Sequence, residues 1–138
     1  MRNTFAFQIT VLYREFLAYT TAELKKLGLS FGQMPLILYV GKHPDCTQAE
    51  LTRALRLDWG YSQRSIAKLV ESGFMNKVAD KIKPGNCLNL TEKGESAFAA
   101  CHEVFPSWDR LHADRITSEE KETLLLLLHK LTAEREES

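Results

Sequence analysis

A chain of 138 residues, 44% apolar and 26% charged, has the size and make-up of one soluble domain able to bury a real core. Its formal net charge of zero gives the molecule as a whole no polyanion-binding signature, and Cys46, Cys87 and Cys101 are too few and too scattered for a disulfide framework, which suits a reducing cytoplasm. No apolar run approaches the length of a membrane span, and "MRNTFAFQITVLYREFLAYTT" is too polar and too patterned for a secretory signal.

Along the chain, Phe5, Ile9, Leu12, Phe16, Tyr19, Leu24 and Leu27 fall near one helical stripe, which Gly28 stops. Ser30 with Gln33 makes a capping-box pattern for a second helix through Leu36 and Val40, and Pro35 predicts an irregular start there. Thr47 with Glu50 repeats the pattern for a short helix whose apolar side is Ala49, Leu51 and Leu55. Asp58 is an N-cap for the stretch "LDWGYSQRSIAKLVESGF", and Gly73 followed by Phe74 is the glycine-then-hydrophobe ending of a Schellman stop. Two short helices joined by a tight turn are what a helix-turn-helix requires.

In "FMNKVADKIKPGNCLNLT", Val78, Ile82, Leu88 and Leu90 alternate with polar residues around "KPGN", which predicts a β-hairpin with a type II turn. A hairpin directly after a helix-turn-helix is a winged helix. Thr91 starts a long helix through Ala97, Phe98, Cys101, Phe105 and Trp108, with a kink expected at Pro106. Thr117 with Glu120 opens a last helix containing five consecutive leucines, Leu124 to Leu128. Leucines pointing in every direction need cover on every side, and in so small a chain a second subunit is the expected cover. The charge is also unevenly spread. From Thr47 to Lys93 eight Lys/Arg stand against five Asp/Glu, a net of +3, whereas from Asp114 to Ser138 four stand against seven, a net of −3.

In this order and spacing, "LSFGQMPLILYV", "TQAELTRAL", "LDWGYSQRSIAKLVESGF" and "LNLTEKG" resemble the MarR family of bacterial transcription regulators across essentially the full length. The resemblance implies a mainly α fold with a small β-hairpin. Residues 1–138 would form a single domain, with a winged helix-turn-helix lobe at about 30–94 flanked by dimerisation helices at about 1–28 and 95–138. It also implies a homodimer on a pseudo-palindromic operator, released by a small aromatic ligand or by oxidation. The family's wing usually carries an Asp-Arg-Arg cluster whose arginine enters the minor groove. Here "ADKIKPGN" offers Lys81 and Lys83 and no arginine.

At about 100° per residue, Trp59, Ser62, Ile66, Leu69 and Val70 cluster on one side of the recognition helix. Tyr61, Arg64 and Lys68 lie opposite, with Gln63 and Ser65 at the margins. An outward arginine suits guanine and a glutamine suits adenine, so this face is read as the one that meets double-stranded DNA. Thr47, Gln48 and Arg53 are candidate phosphate contacts, as are Lys81 and Lys83. Phe16, Tyr19, Tyr39 and Trp108 are candidate contacts for a small aromatic ligand, and Phe5, Ile9, Leu12, Leu124, Leu125 and Leu128 for the partner subunit.

Peroxide-sensing members of the family use a cysteine in the first helix, where this chain has none, and Cys87 and Cys101 read as small buried hydrophobes. No Cys/His spacing fits a structural metal site, and no cofactor is expected. Paired carboxylates, a nucleophile elbow and a Gly-rich phosphate loop are all lacking, so an enzyme is not expected. Two readings remain: a dimeric DNA-binding regulator, or a winged-helix module that binds protein and has little DNA affinity.

Overall fold

A computed structural model describes residues 1–79, 82 and 85–136, with side chains as far as 133. Lys81, Lys83 and the proline of the expected "KPGN" turn lie outside the described residues. The chain divides into two compact units, Met1–Phe105 and Pro106–Ser138.

The first unit opens with α1 (Phe5–Lys25), capped by Thr4, whose Oγ1 accepts from the Phe7 amide at 3.2 Å. The Ser30 amide donates to Gln33 Oε1 at 2.9 Å. A 3₁₀ turn (Phe31–Gln33) then leads into α2 (Met34–Lys42), with Pro35 in its first turn. This is the irregular start that the proline demands, since it brings no N–H to the first turn. Strand β1 (Cys46–Thr47), α3 (Gln48–Ala54), α4 (Trp59–Glu71), β2 (Met75–Ala79), β3 (Asn86–Leu90) and the long α5 (Glu92–Leu111) follow. The helix-turn-helix and its wing are therefore present as expected.

One element was not anticipated. The hairpin belongs to a three-stranded antiparallel sheet in the order β1-β3-β2, because Cys46 and Thr47 pair with Leu88 and Cys87. Two residues are too few to show a period, and Thr47 also serves as the cap of α3, so no strand was legible there.

The core gathers Leu24, Leu36, Ile37, Leu51, Ile66, Leu69, Met75 and Leu88, all at most 1% exposed. Two glycines let elements approach closely. A Cβ on Gly94 would run into the Phe74 carbonyl, and one on Gly41 into the Phe98 ring. Gly94→Ala should therefore lower stability by about 1–3 kcal/mol or more, read as an earlier denaturant midpoint. The backbone carbonyl of Phe74 is the obstacle, and it is fixed by its bond from the Thr91 amide (3.1 Å).

In the second unit, α6 (Ser118–Glu136) starts from a full capping box. The Glu120 amide donates to Thr117 Oγ1 (3.1 Å), and the Thr117 amide donates to Glu120 Oε1 (2.9 Å). All five leucines from Leu124 to Leu128 are exposed, between 38% and 60%. The proline expected to kink the preceding helix, Pro106, lies inside α5 at the junction between the two units. No helix among the described residues is long and apolar enough to cross a membrane.

Candidate nucleic-acid interface

The pose of α4 is set from three directions. At its start, Asp58 Oδ2 accepts from the Tyr61 amide at 3.1 Å. On its inner side, Ser62, Ile66 and Leu69 are buried. Thr52 Oγ1 lies 2.6 Å from both the Gln48 carbonyl and Ser62 Oγ. Thr52 has one hydroxyl proton and its natural acceptor is the carbonyl, so Ser62 donates to Thr52, and a buried chain of hydrogen bonds fixes α4 against α3. At its end, Gly73 adopts φ +83, and the Phe74 amide reaches the Leu69 carbonyl at 2.9 Å, closing a Schellman motif. Lys93 Nζ then donates to the Ser72 carbonyl (2.8 Å) while standing over the Phe74 ring, and the Thr91 hydroxyl donates to the Gly73 carbonyl. The recognition helix is thus tied to the root of α5.

The turn before α4 has a feature that no glycine announces. Arg56 takes φ +54, and the Leu57 amide returns to the Thr52 carbonyl at 3.0 Å. An arginine here occupies the left-handed position that glycine fills at Gly73, at some conformational cost.

Gln63, Arg64 and Lys68 stand exposed on α4, and Ser65 is half-buried at the margin. Arg64 does not project straight out. Its Nη1 lies back along the helix, 3.1 Å from where a Cβ on Gly60 would stand, on the side of Asp58 Oδ2. Helical side chains lean toward the N-terminus, so the guanidinium of this mid-helix residue is carried to the first turn. Tyr61 is 41% exposed, and its hydroxyl leans onto Gly32, 2.9 Å from the Cβ position of that residue. The other candidates differ in setting: Thr47 and Gln48 are buried, Thr47 Oγ1 accepts from the Glu50 amide (3.1 Å), and Arg53 is exposed.

Trp59 departs from the periodicity reading, which put it with the inner residues. It is 53% exposed and faces a crevice between α4 and the wing, near Lys77 and Asn86. Sequence reasoning passed over all three. A first-turn residue can share the angular sector of the core and still lie beyond its end, and only the placement of the wing shows this. On the same helix Val70 is at the margin, 36% exposed, and on the wing Val78 and Ile82 are exposed whereas Leu88 is buried and Leu90 half-buried, so only the β3 half of the hairpin's apolar alternation marks a buried side.

Among the ligand candidates, Phe16 packs against Phe105 with ring centroids 5.5 Å apart, and Tyr39 stacks on His43 at 4.2 Å. Tyr19 is half-buried. Trp108 belongs to the second unit, where it packs on His112 at 4.2 Å. Of the partner-subunit candidates, Phe5, Ile9 and Leu12 are 70%, 48% and 44% exposed.

All three cysteines are buried thiols. In the β1–β3 ladder Cys46 lies opposite Leu88 and Thr47 opposite Cys87, so the two strand cysteines occupy different faces of the sheet and do not meet for a cross-strand disulfide. Burial pushes the Cys101 thiol up to about 11. A thiol held neutral is a poor nucleophile. Cys101 in the folded protein should thus stay unlabelled by iodoacetamide at pH 8 and react only as the pH approaches 11 or in denaturant, which peptide mass mapping would reveal.

A family model for the MarR family matches residues 27–79. The HTH-type transcriptional regulator BilQ of Clostridium symbiosum (strain WAL-14163) is 39% identical over 132 residues, covering 95% of this chain and 92% of that protein. The uncharacterized HTH-type transcriptional regulator YybA of Bacillus subtilis (strain 168) is 30% identical over 128 residues, covering 90% and 83%. Among solved structures, Streptococcus pneumoniae FabT in complex with DNA superposes with a TM-score of 0.84 at 21% identity, covering 96% of both chains, a likeness of fold. With identity running through nearly all of a chain that folds as a winged helix, the chain belongs to the MarR family of transcriptional regulators.

Proposed function

We propose that the chain is a homodimeric repressor whose two α4 helices read a pseudo-palindromic operator in duplex DNA. One observation carries the reading: α4 is fixed by caps and a buried hydrogen-bond chain on one side, and presents Gln63, Arg64 and Lys68 on the other. Arg64 carries base recognition, Gln63 and Ser65 flank it, and Lys68 meets backbone phosphate. Arg53, and Tyr61 from its place against Gly32, add phosphate contacts at the rim. FabT, solved in complex with DNA, has the same fold, which supports DNA as the partner.

The whole chain, residues 1–138, acts as one MarR-like domain, with residues 1–28 and 95–138 supplying the dimer helices. The exposed Phe5, Ile9 and Leu12 of α1 and Leu124, Leu125 and Leu128 of α6 support this part of the reading. A small aromatic effector would contact the half-buried Phe16, Tyr19 and Tyr39 of the first unit. Such a regulator acts in the cytoplasm on its own operator, and inactivating it should raise expression of a reporter placed behind that operator.

The deciding experiment is selection of bound sequences from random duplex, followed by titration at several salt concentrations. An inverted repeat with a steep salt slope is expected. A chain that retains no duplex but captures a protein would favour the interaction-module reading.

The wing lysines give a finer test. Lys81 and Lys83 are point charges without the planar fork of arginine, so they suit phosphate rather than base edges. Changing both to alanine should weaken binding to all duplexes alike and flatten the salt slope by about 1 per lost contact. A changed sequence preference at constant slope would contradict that role.

A further inference from the structure

Inside the helix-turn-helix, α3 and α4 are held together by two kinds of contact. Leu51, Ile66 and Leu69 belong to one buried apolar cluster. Burial of apolar surface is non-directional, so helices held by it alone can roll with little change in energy. The second contact is polar: Thr52 Oγ1 and Ser62 Oγ lie 2.6 Å apart, and Ser62 is fully buried. A hydrogen bond keeps its strength over about half an ångström and a narrow range of angles, so this one admits a single setting of α4 about its own axis. A serine inside a helix commonly returns its hydroxyl to the carbonyl four residues back, whereas Ser62 reaches across to another helix. Thr52 is itself held at both ends. Its hydroxyl donates to the Gln48 carbonyl (2.6 Å), and its carbonyl accepts from the Leu57 amide (3.0 Å), closing the turn in which Arg56 takes φ +54.

Ser62 and Arg64 are two residues apart, about 200° round the helix, so the buried hydroxyl stands nearly opposite the arginine. A roll of α4 by about 10° would carry a group about 6 Å from the helix axis sideways by about 1 Å. That exceeds the tolerance of two parallel hydrogen bonds to a base edge. We propose that Ser62 is a specificity-determining positioning residue: bonded to Thr52, it sets the roll of α4 and so aligns Arg64 with a base edge, although it touches no DNA itself. The proposal rests on the reading that Arg64 recognises bases in duplex DNA, and adds to it a residue on the buried side of the helix. The hydroxyl contributes little to the fold. Without it the Thr52 proton still rests on the Gln48 carbonyl, so no buried donor is orphaned. Alanine also suits a helix interior better than serine. Stability and recognition therefore separate at this position.

The test compares wild type and Ser62→Ala on the selected operator, on operators changed at the symmetric pair of positions that Arg64 reads, and on unrelated duplex. Ser62→Ala should melt where wild type does and bind unrelated duplex with the same affinity and salt slope. Its affinity for the operator should fall roughly tenfold, within the range of a spoiled bidentate base contact, and preference at that pair should relax. Thr52→Val removes the acceptor on the other helix, leaves Ser62 to turn back to the Asp58 carbonyl, and should relax preference at the same pair. A double-mutant cycle ties the effect to the arginine: in Arg64→Ala protein, Ser62→Ala should cost almost nothing further. If wild type retains no duplex, or Arg64→Ala discriminates as wild type does, base reading by Arg64 falls and the role of Ser62 with it. If Arg64 reads bases but Ser62→Ala discriminates as well as wild type, the positioning role alone is overturned. It is overturned likewise if Ser62→Ala unfolds, weakens every duplex alike, or costs the same with and without Arg64.

Discussion

Leu125→Glu combined with Leu128→Glu should turn the protein into a monomer or an unfolded chain at micromolar concentration, as read by sedimentation velocity and circular dichroism. Leu124 to Leu128 are 38% to 60% exposed and, being consecutive, cover every side of α6. Full burial of a leucine contributes about 1.5–3 kcal/mol, and helices apolar all round are found where that burial is available. In the proposed dimer a second copy would supply it, as it would for the exposed Phe5, Ile9 and Leu12 of α1. Each glutamate removes such a leucine and sets a charge against apolar surface, and symmetry doubles both effects. The expected loss is therefore several kcal/mol, enough to abolish a dimer of ordinary affinity. Leu126→Glu alone, at the most exposed of the five positions, should be milder. A well-folded wild-type monomer at micromolar concentration would refute the dimer.

The order of the helices was readable because their ends are written in side chains. Thr47 with Glu50 and Thr117 with Glu120 form reciprocal caps, and Gly28 and Gly73 take the left-handed conformation at their helix stops. Where an end is made without such a residue, the sequence is silent. Arg56 closes α3 in a left-handed conformation that arginine does not advertise. Strand β1 is two residues long and takes its identity from β3, some forty residues away. The same division runs through the candidate interface. The buried side of α4 at Ser62, Ile66 and Leu69 follows from period alone, whereas the openness of Trp59 and the approach of Lys77 and Asn86 depend on where the wing lies. A helical wheel has no axial coordinate, and at Trp59 that coordinate decides exposure.

Arg64→Ala should cost about 1–3 kcal/mol of operator binding per half-site and relax preference at one symmetric pair of positions. In a dimer both half-sites are affected, so the loss in the complete complex should approach a hundredfold or more. The reach of the side chain supports this. Its guanidinium lies back over Gly60, which brings a mid-helix arginine to the N-terminal turn where recognition helices meet base edges. There it can offer two parallel N–H donors to guanine O6 and N7. Lys68 is exposed more than a turn beyond Gly60 and has no planar fork, so Lys68→Ala should lower affinity and the salt slope while leaving preference unchanged. Gly60→Ala is the control. The added methyl would stand 3.1 Å from Nη1, which the flexible end of Arg64 relieves by yielding a few tenths of an ångström, so affinity should stay close to wild type while Arg64 is intact. All three positions lie off the buried side, and alanine favours the helix over glycine, so none of these changes should lower the melting temperature appreciably. If Arg64→Ala binds the selected operator as tightly as wild type, the outward side of α4 is a solvated surface, and base recognition must be sought elsewhere in the lobe.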